Sequence, residues 1–447
     1  MTQHNTQQPV SVIGAGLAGC EAAWALAQQG IPVCLYEMKP QRYSPAHKYP
    51  GFAELICSNS LKASRLESAA GLLKAEMERL GSLTVPCARA TAVAAGGALA
   101  VDREKFSDAV TEKIRSHPLI TVVAQEVTEI PDGDVVIATG PLTSDAFADA
   151  IQRLISSEYL SFYDAAAPIV EAASLDMSKV FFAARYGRGE DDYINCPFDR
   201  EQYERFVQEL TQAETAPLHE FDRQDFKVYE GCMPIEVMAK RGADTMRFGP
   251  LKPVGLTDPN TGRRPWAVVQ LRRENQEGTL YNLVGFQTNL KFPEQRRVFS
   301  MIPGLENAVF ARYGVMHRNT FLNSPKLLDN RFALRSEPRI FFAGQITGVE
   351  GYMESAASGI LAGLNLARQR KGQPPLVLPA TTMMGALSAY ISSAYTEDFQ
   401  PMGSNMGILP GLPERIKGKS ERYLALAQRA MEDLNQLLEQ EKEAGHI

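Results

Sequence analysis

Glycines at positions 14, 16 and 19 constrain this chain more than any other feature. Before them lies a short run with β-branched residues, Pro9-Val-Ser-Val-Ile, and after them a helix-period pattern runs through Gln29 to Gly30. A second β-rich run, residues 31–36, ends in Glu37, 18 residues after Gly19. Strand, G-x-G-x-x-G turn, helix, strand and acid make the βαβ unit that binds a dinucleotide. Each residue has a physical task. Gly14 makes the tight turn, Gly16 lets a pyrophosphate touch the backbone, and Gly19 lets the helix pack on the strand. Ala15, Leu17 and Ala18 complete the loop, which places phosphate charge at the positive end of the helix. Glu37 then accepts hydrogen bonds from ribose hydroxyls. Glycines alone would be a weak signal; the full unit is a strong one.

The motif does not distinguish NAD from FAD, but the C-terminal half does. Arg339-Ile-Phe-Phe-Ala-Gly344 reads as a buried strand ending in glycine, followed by Gln345-Ile-Thr-Gly348-Val-Glu-Gly351 and a helix over 353–368 with a small face at Ala356, Ala357, Gly359 and Gly363. With the strand and Ala-Thr-Gly turn of 134–141, this is the two-part layout of FAD proteins. The second helix aims its N-terminus at the flavin pyrimidine edge. The bland alternative is that Gly344, Gly348 and Gly351 serve tight packing only. No second G-x-G-x-x-G exists, so a dedicated nicotinamide domain is not expected, and NADH or NADPH would reduce the flavin by a brief visit.

A length of 447 residues suggests two or three domains. The expected fold class is α/β: a Rossmann-like FAD-binding domain, two-part and discontinuous, with an inserted α+β substrate domain and a helical C-terminal segment. The expected boundaries are 1–150, 151–325, 326–380 and 381–447. In the last segment Leu424, Ala427, Met431, Leu434, Leu437 and Leu438 share the docking face of a helix over 414–444.

Hydrophobic content of 45% and charged content of 22% exclude a disordered chain. No apolar run reaches the roughly 18 residues of a membrane span; Arg89 and Asp102 break or bound the best candidate. Residues 1–8 lack the pattern of a secretory leader, so a cytoplasmic protein is expected. Six cysteines, with no CxxC pair and no metal-ligand spacing to the histidines, argue for reduced single thiols and no metal.

The net charge of −6 argues against a nonspecific nucleic-acid coat. Yet residues 235–318 hold 13 basic against seven acidic residues, Arg263 and Arg264 among them. That excess is either a solvated face or a grip for a polyanion.

Two cysteines have unusual settings. Cys57 precedes Ser58, Asn59 and Ser60, all N-cap types, and a helical pattern over 61–80. Cys232 lies in Glu230-Gly-Cys232-Met-Pro234-Ile-Glu236, where Pro234 can open a short helix closed by Gly242. Both are therefore placed at helix N-termini, where the dipole favours thiolate. The bland reading, a small buried side chain, fits Cys20 and Cys34 better. His317, Arg318, Asn319 and Lys326 lie just ahead of the returning FAD segment. They suit either a planar anionic substrate or an ordinary structural role.

Taken together, Gly14-Ala-Gly-Leu-Ala-Gly19, Glu-Leu-Ile-Cys57-Ser-Asn-Ser-Leu, Tyr-Glu-Gly-Cys232-Met-Pro-Ile-Glu, Pro250-Leu-Lys-Pro-Val-Gly-Leu-Thr-Asp, Thr-Gly-Arg-Arg-Pro-Trp266-Ala-Val-Val-Gln-Leu and His317-Arg-Asn-Thr-Phe-Leu-Asn-Ser-Pro325 closely resemble the folate- and FAD-dependent tRNA (uracil-5-)-methyltransferase family. That family is related to the larger tRNA wobble-uridine modification flavoprotein. The resemblance implies formation of 5-methyluridine at position 54 of the tRNA T-loop, with 5,10-methylenetetrahydrofolate as carbon donor. It marks Cys232 and Cys57 as catalytic, with a thiolate adding to uracil C6, reduced FAD supplying hydride, and His317 with Arg318 or Lys326 meeting the folate. Arg263 and Arg264 would hold tRNA phosphates, and no membrane or obligatory protein partner is implied. Two alternatives share these residues: the wobble-uridine enzyme, normally longer and working with a GTPase, and a non-catalytic flavin-containing RNA-binding protein.

Overall fold

The computed structural model describes residues 8–44, 46–155, 160–165, 167–187, 192–216, 233–275, 277–314, 316–393, 399–414 and 416–446. Of residues 160–165 and 316–320 only the backbone is described.

Five parallel strands form the central sheet, ordered in space Ile340–Phe342, Val135–Ile137, Val10–Ile13, Val33–Glu37 and Ile120–Ala124. Val12 pairs with Leu35 on one side and Val136 on the other, all fully buried. Continuous apolar strands of this kind belong to a sheet covered on both faces. The returning strand joins beside Val135–Ile137, with Ile340 opposite Val135. The two-part Rossmann-like expectation therefore holds, because strands about 330 residues apart share one sheet.

The first helix, Leu17–Gln28, packs against the return helix, Tyr352–Arg370. Small residues make this contact possible. A Cβ on Gly359 would stand 2.1 Å from the Ala18 carbonyl oxygen, and one on Gly363 would stand 2.7 Å from that of Ala22. The small face noted in the sequence thus lets two helix backbones touch.

A second core is built on a six-stranded antiparallel sheet, ordered Phe181–Phe182, Tyr193–Phe198, Ala267–Arg273, Leu280–Leu283, Ile169–Glu171 and Phe310–Arg312. The helix Arg200–Gln212 buries Tyr203, Phe206, Val207 and Leu210 in it, and a capping box of Asp199 and Gln202 fixes its start. The chain enters and leaves this body on two strands, Leu160–Ala165 and Met316–Phe321, paired antiparallel with His317 opposite Asp164.

One expectation fails and another is corrected at a single residue. Residues 61–80 are not one helix: Ser60–Ala63 is a strand paired with Ala98–Val101, and the helix begins only at Ala69. Its cap is Ser68, whose hydroxyl accepts from the Gly71 amide, so the cap-type residues 58–60 are free for other tasks. The last helix runs Lys419–Glu443 and buries Leu426, Ala427, Ala430 and Leu434, whereas Leu424 is 40% exposed. Met431, Leu437 and Leu438 pack against the core beside Ala427 and Leu434, so only Leu424 of the expected docking face lies off it.

Candidate functional site

A cavity of about 450 Å³ runs along the carboxyl ends of the parallel strands, where open α/β sheets bind ligands. One end is lined by Gly14, Ala15, Gly16, Leu17 and Ala18 with Glu37, the other by Gly344 and residues 350–355. Each motif glycine behaves as its spacing predicts. Gly14 has φ 95°, and a Cβ there would sit 2.7 Å from the Ala138 oxygen. A Cβ on Gly19 would sit 1.7 Å from the Gly14 oxygen, while one on Gly16 meets nothing within 4 Å. Only Gly16 is bare on its open side, as close approach of a pyrophosphate requires.

The Glu37 carboxylate is held in the cavity wall by the Ala15 amide at 2.8 Å and the Lys39 amide at 3.0 Å. Each oxygen keeps a lone pair for a ribose hydroxyl. Gly344 and Gly351 have φ of 87° and 123°, and Gly351 caps the return helix, whose N-terminus opens on the cavity. These residues fit a flavin dinucleotide laid from Gly16 to Tyr352. Gly348 does not line the cavity among the described residues; its Cβ would strike the Phe399 ring at 2.5 Å. For that glycine the packing role is the one observed.

Cys57 lies in the cavity wall between the two ends. It is not at the N-terminus of the helix that follows it in sequence, because a strand intervenes. It sits instead at the N-terminus of the return helix, through Tyr352. The Tyr352 hydroxyl oxygen accepts from the Cys57 amide at 2.8 Å and the Ser58 amide at 3.3 Å, and lies 3.1 Å from the Cys57 sulfur. Burial, then the Cys57 thiol, pushes the Tyr352 phenol well above its ordinary range. The phenol is therefore a neutral anchor.

Three arginines hold the rest of this loop. Arg103 donates to the Leu55 and Ile56 carbonyls at 2.6 and 2.8 Å and pairs with buried Glu274. Arg312 donates to the Ile56 carbonyl at 2.6 Å. Arg272 donates to the Asn59 side-chain oxygen at 3.0 Å and the Ser58 hydroxyl at 2.7 Å. Burial, reinforced by Arg103, pulls the Arg312 guanidinium down to about 10. Beside them, Lys62 pairs at 2.8 Å with Glu354, which also accepts from the Ser404 amide and hydroxyl. Burial alone would raise the Glu354 carboxyl, but Lys62 and Ser404 outweigh it and hold it below the usual range.

Sequence reasoning missed this clamp. Arg272 and Arg312 belong to the basic excess read as either a solvated face or a polyanion grip, yet they are turned inward onto residues 56–59. No spacing signal connects Arg103 with Glu274. Cys232 lies outside the described residues, as do the side chains of His317, Arg318 and Asn319; these three occupy consecutive positions of the strand Met316–Phe321. Lys326 is exposed on the short helix Ser324–Leu327. Arg263 and Arg264 are exposed after a turn closed on Asp258, away from the cavity lining. Burial raises the thiol of Cys20 and lifts that of Cys87 to about 11, and it raises that of Cys196 as well. These three are poor nucleophiles. Among the described residues no helix is long and apolar enough to cross a membrane, and no cluster of metal-binding side chains occurs.

The family model described as Glucose inhibited division protein A matches residues 9–374. A protein of Geobacter sulfurreducens named methylenetetrahydrofolate–tRNA-(uracil-5-)-methyltransferase TrmFO is 60% identical over 431 residues, covering 96% of this chain and 98% of that one. The protein of the same name from Desulforamulus reducens is 58% identical over 443 residues, covering 99% of each. Among solved structures, Aquifex aeolicus GidA superposes with a TM-score of 0.68 at 17% identity, covering 98% of this chain and 76% of that chain. That likeness shows a shared fold.

Proposed function

The chain belongs to the methylenetetrahydrofolate–tRNA-(uracil-5-)-methyltransferase family, and from that premise we propose how its residues carry out folate-dependent methylation of a tRNA uracil at C5. The observation that carries the reading is the clamped thiol: Cys57 sits in the wall of the dinucleotide cavity, fixed by Tyr352 from the return helix. A cavity for FAD alone would not need a sulfur held in this way.

Uracil C5 is a poor carbon nucleophile until a thiolate adds at C6. Cys232 is the proposed nucleophile. It stands two residues before Pro234, whose helix Ile235–Lys240 is fastened to the cavity by the Ile235 amide donating to the Gln287 carbonyl at 2.7 Å. C5 then bonds to the methylene carbon of 5,10-methylenetetrahydrofolate as one of that carbon's two C–N bonds breaks. Cys57 Sγ takes the C5 proton as the second C–N bond breaks and tetrahydrofolate leaves, giving an exocyclic methylene; hydride addition to that methylene expels the Cys232 thiolate and restores the C5–C6 double bond. Residues 14–18, Glu37, Gly344 and Gly351 would hold FAD, which, once reduced by NADH or NADPH, would supply the hydride that brings the carbon to the methyl level. We place the pterin near His317, with Arg318, Asn319 or Lys326 meeting the folate, and the tRNA on the inserted body.

The test is a labelled-carbon assay. Protein, NADPH, methylene-labelled tetrahydrofolate and an unmodified tRNA transcript are incubated, and the nucleosides are analysed. Label in 5-methyluridine of the T-loop, lost with Cys232→Ala and with Cys57→Ala, is expected. A yellow protein reduced by NADPH that leaves the tRNA unlabelled overturns the reading.

A further inference from the structure

Phe248 is 79% exposed, although it is one of the largest apolar side chains in the second body. Its backbone is not loose. The helix Thr245–Phe248 that carries it is anchored by buried Met246 and by Arg247. The Arg247 guanidinium lies 3.7 Å from the centre of the Trp266 ring and donates to the Trp266 carbonyl at 3.0 Å. Arg200 lies over the same ring at 5.4 Å. The Arg247 guanidinium also lies 5.8 Å from the centre of the Phe248 ring, yet the ring stays largely open to solvent, which is unusual in a folded body, where a Phe normally gains by burial.

The surroundings are basic. Exposed Lys252 donates its amide to the carbonyl of Gly249, the residue after Phe248, and exposed Arg263 and Arg264 precede Trp266, the ring under Arg247, by three and two residues; neither Arg263 nor Arg264 has an ionic partner among the described residues. The nearby acids are already engaged: Asp244 faces Arg247, Glu204 faces Arg200, and Asp258 is buried in its own turn. The patch also lies near the cavity. Gln287 is in the cavity wall and is bonded to Ile235, and the six-residue helix from there spans about 9 Å. Near its far end, Met238 Sδ lies 3.6 Å from the Cβ position of Gly249, the residue after Phe248.

We propose that Phe248 is a stacking platform for an unpaired base of the tRNA loop, next to the uridine delivered to the cavity, with Arg263 and Arg264 holding the flanking phosphates. The inference rests on the tRNA reading above. Chemistry on a ring atom requires the base to leave its stack, and an aromatic face in a basic groove stabilises the neighbour that loses its partner. Charge alone would be served by arginines; an exposed ring beside them fits a nucleobase.

The experiment measures binding of the holoprotein to a fluorescent T-arm hairpin by anisotropy across a salt series. Phe248→Ala is expected to raise Kd about tenfold at every salt concentration without changing the salt slope. Arg264→Ala is expected to reduce that slope by about one. Phe248→Trp should bind as well as wild type, and Phe248→Leu, apolar without a π face, should bind as poorly as the alanine variant. Kd within twofold of wild type for Phe248→Ala, full binding by Phe248→Leu, or a weakened Phe248→Ala whose thermal midpoint falls with it each overturns the proposal. If wild type neither binds nor labels the RNA, the tRNA reading itself fails. If wild type does both and Phe248→Ala matches it, only the stacking platform fails.

Discussion

Arg272→Met isolates the clamp on the Cys57 loop. Methionine keeps the apolar stem of the side chain and removes the guanidinium. Its hydrogen bonds to the loop go, Nε to the Asn59 oxygen at 3.0 Å and Nη2 to the Ser58 hydroxyl at 2.7 Å, together with its interaction with the Tyr193 phenol. Each charge-assisted bond is worth about 1.5–3 kcal/mol. Against this, burial holds the Arg272 guanidinium below its ordinary range, so removing it relieves a desolvation cost. The net loss expected is about 2–3 kcal/mol. Asn59 is fully buried and also donates to the Val101 and Arg273 carbonyls, so Asn59→Ala alone should cost at least as much. The two changes share one bond, and a double-mutant cycle should show a coupling of about 1–2 kcal/mol. Urea unfolding of the holoproteins gives the cycle. Iodoacetamide labelling followed by peptide mass spectrometry gives the consequence at the site, where Cys57 should be modified several-fold faster in Arg272→Met. Strict additivity within about 0.5 kcal/mol, together with an unchanged Cys57 labelling rate, would refute the clamp.

Gly359→Val should force the first and return helices apart, since its Cβ would stand 2.1 Å from the Ala18 oxygen; we expect a cost of about 3 kcal/mol and loss of FAD from the purified protein, read by visible absorbance. Burial pushes the Glu76 carboxyl up from 4.5 to about 8 even though it accepts from the Met383 and Met384 amides. The folded state therefore keeps this proton after the unfolded chain has lost it. Its contribution is complete below 4.5 and is lost as pH rises through about 8. Glu76→Gln should accordingly show a smaller fall in urea midpoint over that window than wild type. Tyr352→Phe removes the hydroxyl that accepts from the part-buried Cys57 amide and should lower stability by about 1–2 kcal/mol while FAD remains bound, which urea titration and absorbance report together. Replacing both Arg263 and Arg264 with Glu should weaken tRNA binding steeply at low salt and leave the NADPH reduction rate of the flavin unchanged, as stopped-flow absorbance would show.

The cofactor end was legible because its signals are local. A tight turn, a bare backbone and a helix start depend on residues a few positions apart, so Gly14, Gly16, Gly19 and Glu37 carry their roles in their spacing. The same holds for Gly344 and Gly351, where a positive φ excludes most other residues. Ser58, Asn59 and Ser60 show where local reading fails. As cap types they suggested a helix, but the Arg272 guanidinium takes the Ser58 hydroxyl and the Asn59 oxygen, and Ser60 pairs in a sheet with Ala100.

The basic stretch 235–318 divides in the same way. Its sum was plain in the sequence, whereas the direction of each guanidinium depends on what packs against it. Arg272 and Arg312 face the Cys57 loop, Arg297 pairs with Glu209 and Glu294, and Arg263 and Arg264 face solvent. By itself, then, the sequence determined the dinucleotide unit, its two-part layout and the identity of the candidate thiols. Tertiary structure alone decided that Cys57 would stand at the N-terminus of a helix beginning 295 residues later, with Tyr352 and three arginines around it. Backbone geometry follows from near neighbours, but the burial and partners of a side chain arise only when distant segments exclude water together.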